Sequence, residues 1–318
     1  MNVLILTEAG NKIGFGHISR MSALAYFLHS TGIEVKILLY LNSNTQFGGT
    51  FVEKCNWLHD KSVYKLCSDF DIILIDSYLA EFQIYRSMRS YCKRIIAIDD
   101  YNRIIYPVDA IINPNVFFDQ IDYSNQSSKC FGGLDFIILR ESFRKSFELN
   151  SNDEKGILIT LGGSDYRNLL SKLCELLNSN HEQVTVICPE EKKAKELQGK
   201  YREICVLGLL NESDMLHEFL KAKVVVSGCG QTLHELYYLG KRTVAICIDH
   251  DQIMNQQYYL SINFLKTRIH WNSPFFLSET AFAIDFAMKT ELVSSSMKIN
   301  PIRNLENYIS LFKDMISY

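Results

Sequence analysis

Short β-branched runs alternate along the chain with segments of helical spacing. Val3–Leu6, Val35–Leu39, Ile72–Ile75, Ile95–Ile98 and Ala110–Ile112 form a first series. Ile157–Leu161, Val184–Cys188, Ile204–Leu207, Val224–Val226 and Val244–Ile248 form a second. Runs that are apolar at every position, rather than at alternate ones, mark strands covered on both faces. Between them the apolar residues recur every three or four positions. Ile18, Met21, Leu24, Ala25 and Leu28 thus make one helix face. The order βαβα, met twice, predicts an α/β protein of two Rossmann-like domains, each built on a doubly wound parallel sheet. The polar stretch Glu148–Lys155 separates the two series, so the expected domains are 1–150 and 151–318. A last amphipathic helix, with Ile302, Leu305, Ile309, Phe312 and Ile316 on one face, is expected to close the second domain.

Composition narrows the class. At 318 residues the length suits about two domains. Hydrophobic residues make up 47% and charged residues 22%, as in folded globular chains. A formal net charge of −3 excludes a chain-wide basic footprint, so no nucleic-acid partner is expected. Nine cysteines are scattered without a C-x-x-C pair, which argues against a zinc knuckle and for a reducing cytoplasm. The first residues lack a basic region and turn polar at Glu8, so no signal peptide is expected. No apolar run approaches the ~20 residues of a membrane span.

Candidate chemistry sits where strands end. Gly14-Phe15-Gly16-His17-Ile18-Ser19-Arg20 follows the first strand and opens the first helix. Glycines there let a ligand approach the backbone, and the helix N-terminus offers free N–H groups. Ser19 replaces the third glycine of a dinucleotide fingerprint, and the second strand ends without the acid that holds a ribose, which argues against a nicotinamide cofactor. His17 is either a helix-capping or solvent-facing residue, or an imidazole at the ligand edge. Ser227-Gly228-Cys229-Gly230-Gln231-Thr232-Leu233-His234-Glu235 repeats the strand–glycine–helix arrangement. It suits a diphosphate on backbone N–H groups, with Glu235 placed to accept ribose hydroxyls; the plainer reading is a tight turn and a first-turn Glu. Tyr238 breaks a possible H-E-x-x-H zinc motif. Polar strand ends at Asp76-Ser77-Tyr78, Asp99-Asp100, Gly162-Gly163-Ser164-Asp165 and Asp249–Gln256 line the same edges. No ligand set with metal spacing appears, and no cofactor is expected.

These residues resemble a known family. Ile13-Gly14-Phe15-Gly16-His17-x-x-Arg20, Gly162–Asp165, Ser227–Glu235 and Asn255-Gln256 are similar, in order, to the motifs of the UDP-sugar hydrolases of the pseudaminic acid pathway. These enzymes are relatives of MurG-type glycosyltransferases of the GT-B fold. The resemblance runs to about residue 270, and Leu139–Phe143 matches the segment before the family's second domain. It implies two domains facing a cleft and metal-free hydrolysis of UDP-2,4-diacetamido-2,4,6-trideoxy-β-L-altropyranose to UDP and free sugar. It further implies His17 as the catalytic residue. Gly228, Cys229, Gly230, Gln231, Thr232 and Glu235 would hold the nucleotide. Gly14, Gly16, Arg20, Tyr78, Asp99, Gly163, Ser164, Asn255 and Gln256 are the remaining sugar or cleft candidates. Two stretches depart from the family's pattern. Leu6 and Glu8 stand where it has Arg and Asp, and Ser77 stands within its Asp-His-Tyr stretch. A glycosyltransferase of the same fold, a nucleotide-sugar epimerase and a non-catalytic nucleotide-sugar-binding protein are the rival readings.

Overall fold

The computed structural model describes residues 1–10, 13–42, 49–144, 154–163, 165, 167–178, 183–290 and 299–317. It contains two parallel sheets. The first holds β1 (Asn2–Gly10), β2 (Glu34–Asn42), β3 (Val52–Lys54), β4 (Ile72–Asp76), β5 (Ile95–Ile98), β6 (Ala110–Asn113) and β7 (Lys129–Gly132), in the order β3-β2-β1-β4-β5-β6-β7. The second holds β8 (Ile157–Thr160), β9 (Val184–Ile187), β10 (Cys205–Leu207), β11 (Val224–Gly228), β12 (Arg242–Cys247) and β13 (Ile269–His270), in the order β10-β9-β8-β11-β12-β13. All ten expected strands are present. The three that the apolar pattern does not reveal, β3, β7 and β13, are short edge strands. A strand covered on fewer sides needs no continuous apolar run.

The chain divides into Met1–Glu141 with Ile299–Tyr318, and Ser142–Lys298. This differs from the expected division on one point of substance: the final helix, Pro301–Ile316, packs with the first sheet and not the second. Its Leu305, Tyr308, Leu311 and Phe312 join the core that also buries Ile18, Met21 and Leu24 of the helix Gly16–Ser30. Asn304 donates to the carbonyls of Leu134 and Ile137, and Tyr308 to that of Phe136. The inward stripe is also rotated from the expected one, since Ile302 and Ile316 are exposed. Most of the Glu148–Lys155 linker lies outside the described residues.

Strand alternation sorts the first sheet into two faces. Val3, Ile5, Ile72, Leu74, Ile96 and Ile98 pack toward the helices Gly16–Ser30 and Pro301–Ile316. Leu4, Leu6, Ile73, Ile75, Ile95 and Ala97 pack on the other side, with Trp57, Tyr85 and Tyr106. Successive side chains point to opposite faces, so this sorting also decides where the polar residues at the strand ends go.

Candidate functional site

In the first unit β1 ends at Gly10, shortly before the helix Gly16–Ser30. Gly10 and Gly14 bridge each other, and Gly14 has φ +77°, a conformation that favours glycine. Gly16 carries no such constraint, and a Cβ there would meet nothing within 4 Å. His17, the second residue of the helix, is only 5% exposed, which removes the reading of a solvent-facing histidine. Its Nδ1 lies 2.6 Å from Oδ1 of Asp76, a fully buried carboxylate at the end of β4. One helical turn on, Arg20 donates through Nε and Nη2 to both oxygens of Asp76, at 2.7 and 2.6 Å. Through Nη1 and Nη2 it also reaches Asp100, at 2.8 and 3.1 Å. Tyr78 donates its hydroxyl to Asp100 at 2.5 Å and sets its ring edge-on to the imidazole, with centroids 4.4 Å apart. Asn115 supplies a further donor to Asp100 at 2.6 Å.

The electrostatics follow from this geometry. Burial alone would raise the Asp76 pKa, but Arg20 and His17 outweigh it and hold the carboxyl far below the usual range. Asp100 is likewise lowered, burial being overcome chiefly by Arg20. Burial opposes the Arg20 charge, and Asp100 and Asp76 more than compensate, so the guanidinium stays protonated. Two carboxylates therefore share one guanidinium beside His17. With Nδ1 bonded to an ionised Asp76, the neutral imidazole carries its proton on Nδ1, which leaves the Nε2 lone pair as the basic position.

Either of the two adjacent acids after β5 could orient a sugar by its sequence position; the structure places them apart. Asp100 falls on the helix face with Asp76. Asp99 falls on the opposite face, where it accepts the hydroxyls of Tyr106 and Tyr123 and the N–H groups of Asn102 and Arg103. Asp99 thus secures the loop after β5 and is not among the groups gathered around His17. Asp76 was visible in the sequence only as a polar strand end. Its alternation with Leu74 and Ile72 was the signal that it shares a face with the helix.

In the second unit the turn Gly228-Cys229-Gly230 leads from β11 into the helix Gln231–Tyr238. A Cβ on Gly228 would press on Ile248 at 3.3 Å. Gln252 joins this turn to the end of β12, its Oε1 accepting from the N–H groups of Cys229, at 3.0 Å, and Ile248, at 3.2 Å. The Cys229 amide is thereby occupied internally, and its thiol is buried and raised well above its ordinary pKa by that burial. Asn255 donates to the Cys229 carbonyl at 3.1 Å. Gln256 donates to the carbonyls of Ala245 and Ile269, at 3.2 and 2.8 Å, and so ties β12 to β13 from within. Both are among the sugar or cleft candidates, and in the structure their side-chain amides donate to backbone carbonyls. Gln231 and Thr232 are half-buried on the first turn of the helix, whereas Glu235 is fully buried. An early-helix Glu is ordinarily exposed; here the helix is covered on nearly every side from Leu233 to Tyr238. Gly163 is exposed at the end of β8, Gly162 beside it has φ +91°, and Ser164 lies outside the described residues. Asp165 caps the next helix, accepting from the N–H groups of Leu169 and Leu170 and from Lys193. Among the described residues no group of His, Cys, Asp and Glu is arranged to hold a metal ion, and no helix is long and apolar enough to cross a membrane.

No family model matches the chain. It is 26% identical over 271 residues to an uncharacterised protein of Methanocaldococcus jannaschii, covering 77% of this chain and 55% of that one. It is 22% identical over 271 residues to the pseudaminic acid cytidylyltransferase and UDP-2,4-diacetamido-2,4,6-trideoxy-beta-L-altropyranose hydrolase of Helicobacter pylori, covering 84% of this chain and 48% of that one. The chain thus spans about half the length of these curated relatives. In structure it is similar to MurG of Acinetobacter baumannii, with a TM-score of 0.62 at 14% identity over 99% of this chain and 100% of that one. It is equally similar to the UDP-GlcNAc 2-epimerase of Methanocaldococcus jannaschii in complex with UDP-GlcNAc and UDP, with a TM-score of 0.63 at 10% identity over 98% of this chain and 100% of that one. The chain therefore has the GT-B fold of MurG and is similar in sequence to the UDP-sugar hydrolases of the pseudaminic acid pathway.

Proposed function

We propose that the protein is a UDP-sugar hydrolase that releases UDP and a free 2,4-diacetamido-2,4,6-trideoxyhexose for nonulosonic acid synthesis. The observation that carries this reading is the buried Asp76–His17 pair, 2.6 Å between Oδ1 and Nδ1, at the open glycine turn of the first sheet. Nε2 of His17 removes a proton from water as the water oxygen attacks the anomeric carbon. The bond from that carbon to the diphosphate oxygen breaks and UDP departs with the electron pair. The imidazolium formed is stabilised by Asp76 and returns its proton to solvent. Arg20 keeps Asp76 ionised throughout. Gly228, Gly230, Gln231 and Thr232 offer the diphosphate a glycine turn and a helix N-terminus, and Glu235 takes the ribose hydroxyls. Relatives named for UDP-sugar hydrolysis, and a neighbour of the same fold in complex with UDP-GlcNAc and UDP, support a UDP-sugar as substrate.

The MurG likeness favours one second reading, a glycosyltransferase that applies the same base to an acceptor hydroxyl. The test is a panel of UDP-sugars incubated with the protein alone, with products followed by NMR. Free sugar and UDP appearing together without an acceptor is the expected result. UDP release only on adding an acceptor establishes the transferase. UDP-sugar isomers without free sugar establish an epimerase, and UDP binding without turnover a binding protein.

A further inference from the structure

The turn after β4 is built around one buried acid. Glu8, at the C-terminal end of β1, is fully buried and lies on the face opposite His17. Its Oε1 accepts the N–H of Tyr78 at 2.7 Å. Its Oε2 accepts the hydroxyl of Ser77 and, at 3.3 Å, the N–H of Leu79. Ser77 Oγ in turn accepts from the N–H groups of Leu79 and Ala80, at 3.1 and 2.9 Å. Three successive backbone donors are thus satisfied by one carboxylate and one hydroxyl. Among the described residues, the hydrogen bonds of the Glu8 side chain all go to this turn. The turn carries Tyr78, whose ring stands against His17 and whose hydroxyl reaches Asp100.

We infer that Glu8 and Ser77 form a coupled positioning pair that sets the Tyr78 ring against the His17 imidazole, and so tunes the sugar side of the site. The inference rests on the reading of His17 as the base. The structure makes Glu8 and Ser77 direct partners across 69 residues of sequence. A carboxylate suits the position because it accepts from several donors at once; glutamine of the same length has one oxygen fewer. Neither side chain hydrogen-bonds Asp76 or His17; what the pair holds is the backbone that carries Tyr78.

Three full-length variants test this: Glu8→Gln, Tyr78→Ala and the two combined, with Ser77→Ala as a milder lesion should Glu8→Gln fail to fold. Amide exchange is read first. Glu8→Gln, or Ser77→Ala in its place, is expected to speed exchange at residues 78–80 while the β1 amides stay protected. Unchanged exchange there overturns the inference whatever the activity. Kinetics follow. Glu8→Gln is expected to lower kcat on the order of 10- to 100-fold, the scale of a small misplacement near reacting groups. In the Tyr78→Ala background the same substitution is expected to cost less than about twofold, because coupled residues are non-additive. Effects that multiply in the double variant would show that Glu8 acts independently of Tyr78 and overturn the inference. A wild-type protein that turns over no UDP-sugar defeats the hydrolase reading instead, and the exchange result still decides whether Glu8 holds the turn.

Discussion

His17 is distinguished from an ordinary helix-start histidine by what lies against its Nδ1. A carboxylate that is itself buried, and kept ionised by Arg20, fixes the tautomer and leaves one nitrogen for chemistry. His17→Asn keeps the size and polarity but removes the base, so kcat is expected to fall about 10²–10⁴-fold. UDP affinity, assigned to the second unit, is expected to stay near wild type by calorimetry. Near-native turnover in this variant would reduce His17 to a cap. Glu235 calls for a different substitution from the one its sequence position suggests. Because it is fully buried, truncation to alanine would mix a packing loss with a lost ligand contact. Glu235→Gln preserves shape, and its UDP affinity is expected to drop by about 2 kcal/mol, the worth of hydrogen bonds to a charged acceptor. Unchanged affinity by titration calorimetry, with the melting temperature also unchanged, would take Glu235 out of the nucleotide site.

At the scale of elements, the final helix is the instructive case. Its apolar residues occur at helical spacing, and that much is legible in the sequence. Which sheet it joins is not, because a period of 3.6 describes a stripe and carries no record of its partner. Phe312 and Ile302 separate the observed stripe from the expected one: Phe312 is fully buried beside Tyr308, while Ile302 is 57% exposed. Phe312→Ala is expected to destabilise the first unit by about 3–5 kcal/mol. Ile302→Ala should stay within about 0.5 kcal/mol. Urea denaturation of the two variants checks this, and a larger loss for Ile302→Ala would mean that the helix packs with the other face inward. The strands show the complementary limit. The central ones carry continuous apolar runs and are read directly, whereas β3, β7 and β13, at sheet edges, lack that signal.

For the molecule as a whole, the carboxylates beside Arg20 predict how stability responds to acid. Asp76 and Asp100 have folded pKa values below their unfolded ones, so the native state binds fewer protons than the unfolded chain. Their contribution is fully present above the unfolded carboxylate pKa of about 4 and is lost as the pH falls through the lower folded values. Unfolding free energy measured between pH 6 and 2 is therefore expected to decline below about pH 4. The Asp76→Asn variant should show a shallower decline than wild type. Parallel profiles would mean that Asp76 is not paired as described. The proposed chemistry also runs on side chains alone, so turnover is expected to survive EDTA; activity lost to EDTA and restored by Mg²⁺ would require a different mechanism.

Periodicity and local turn chemistry determined much of this protein without any coordinates. Continuous apolar runs specify buried parallel strands, and glycines after β1 and β11 specify where helices begin close to a ligand edge. The motifs at those edges resemble those of the UDP-sugar hydrolases to which the chain is similar in sequence. Tertiary structure decided which side chains meet. Asp99 and Asp100 are adjacent in sequence and chemically alike, yet strand alternation sends one to tyrosines and backbone on one face and the other to Arg20 on the opposite face. Glu8 and Ser77 are 69 residues apart and bonded to each other. Glu235, at a position where a helix normally shows its acids to water, is enclosed. Each of these outcomes depends on pairing register and on what packs against an element. Both are properties of contacts between distant segments, which a local pattern does not encode.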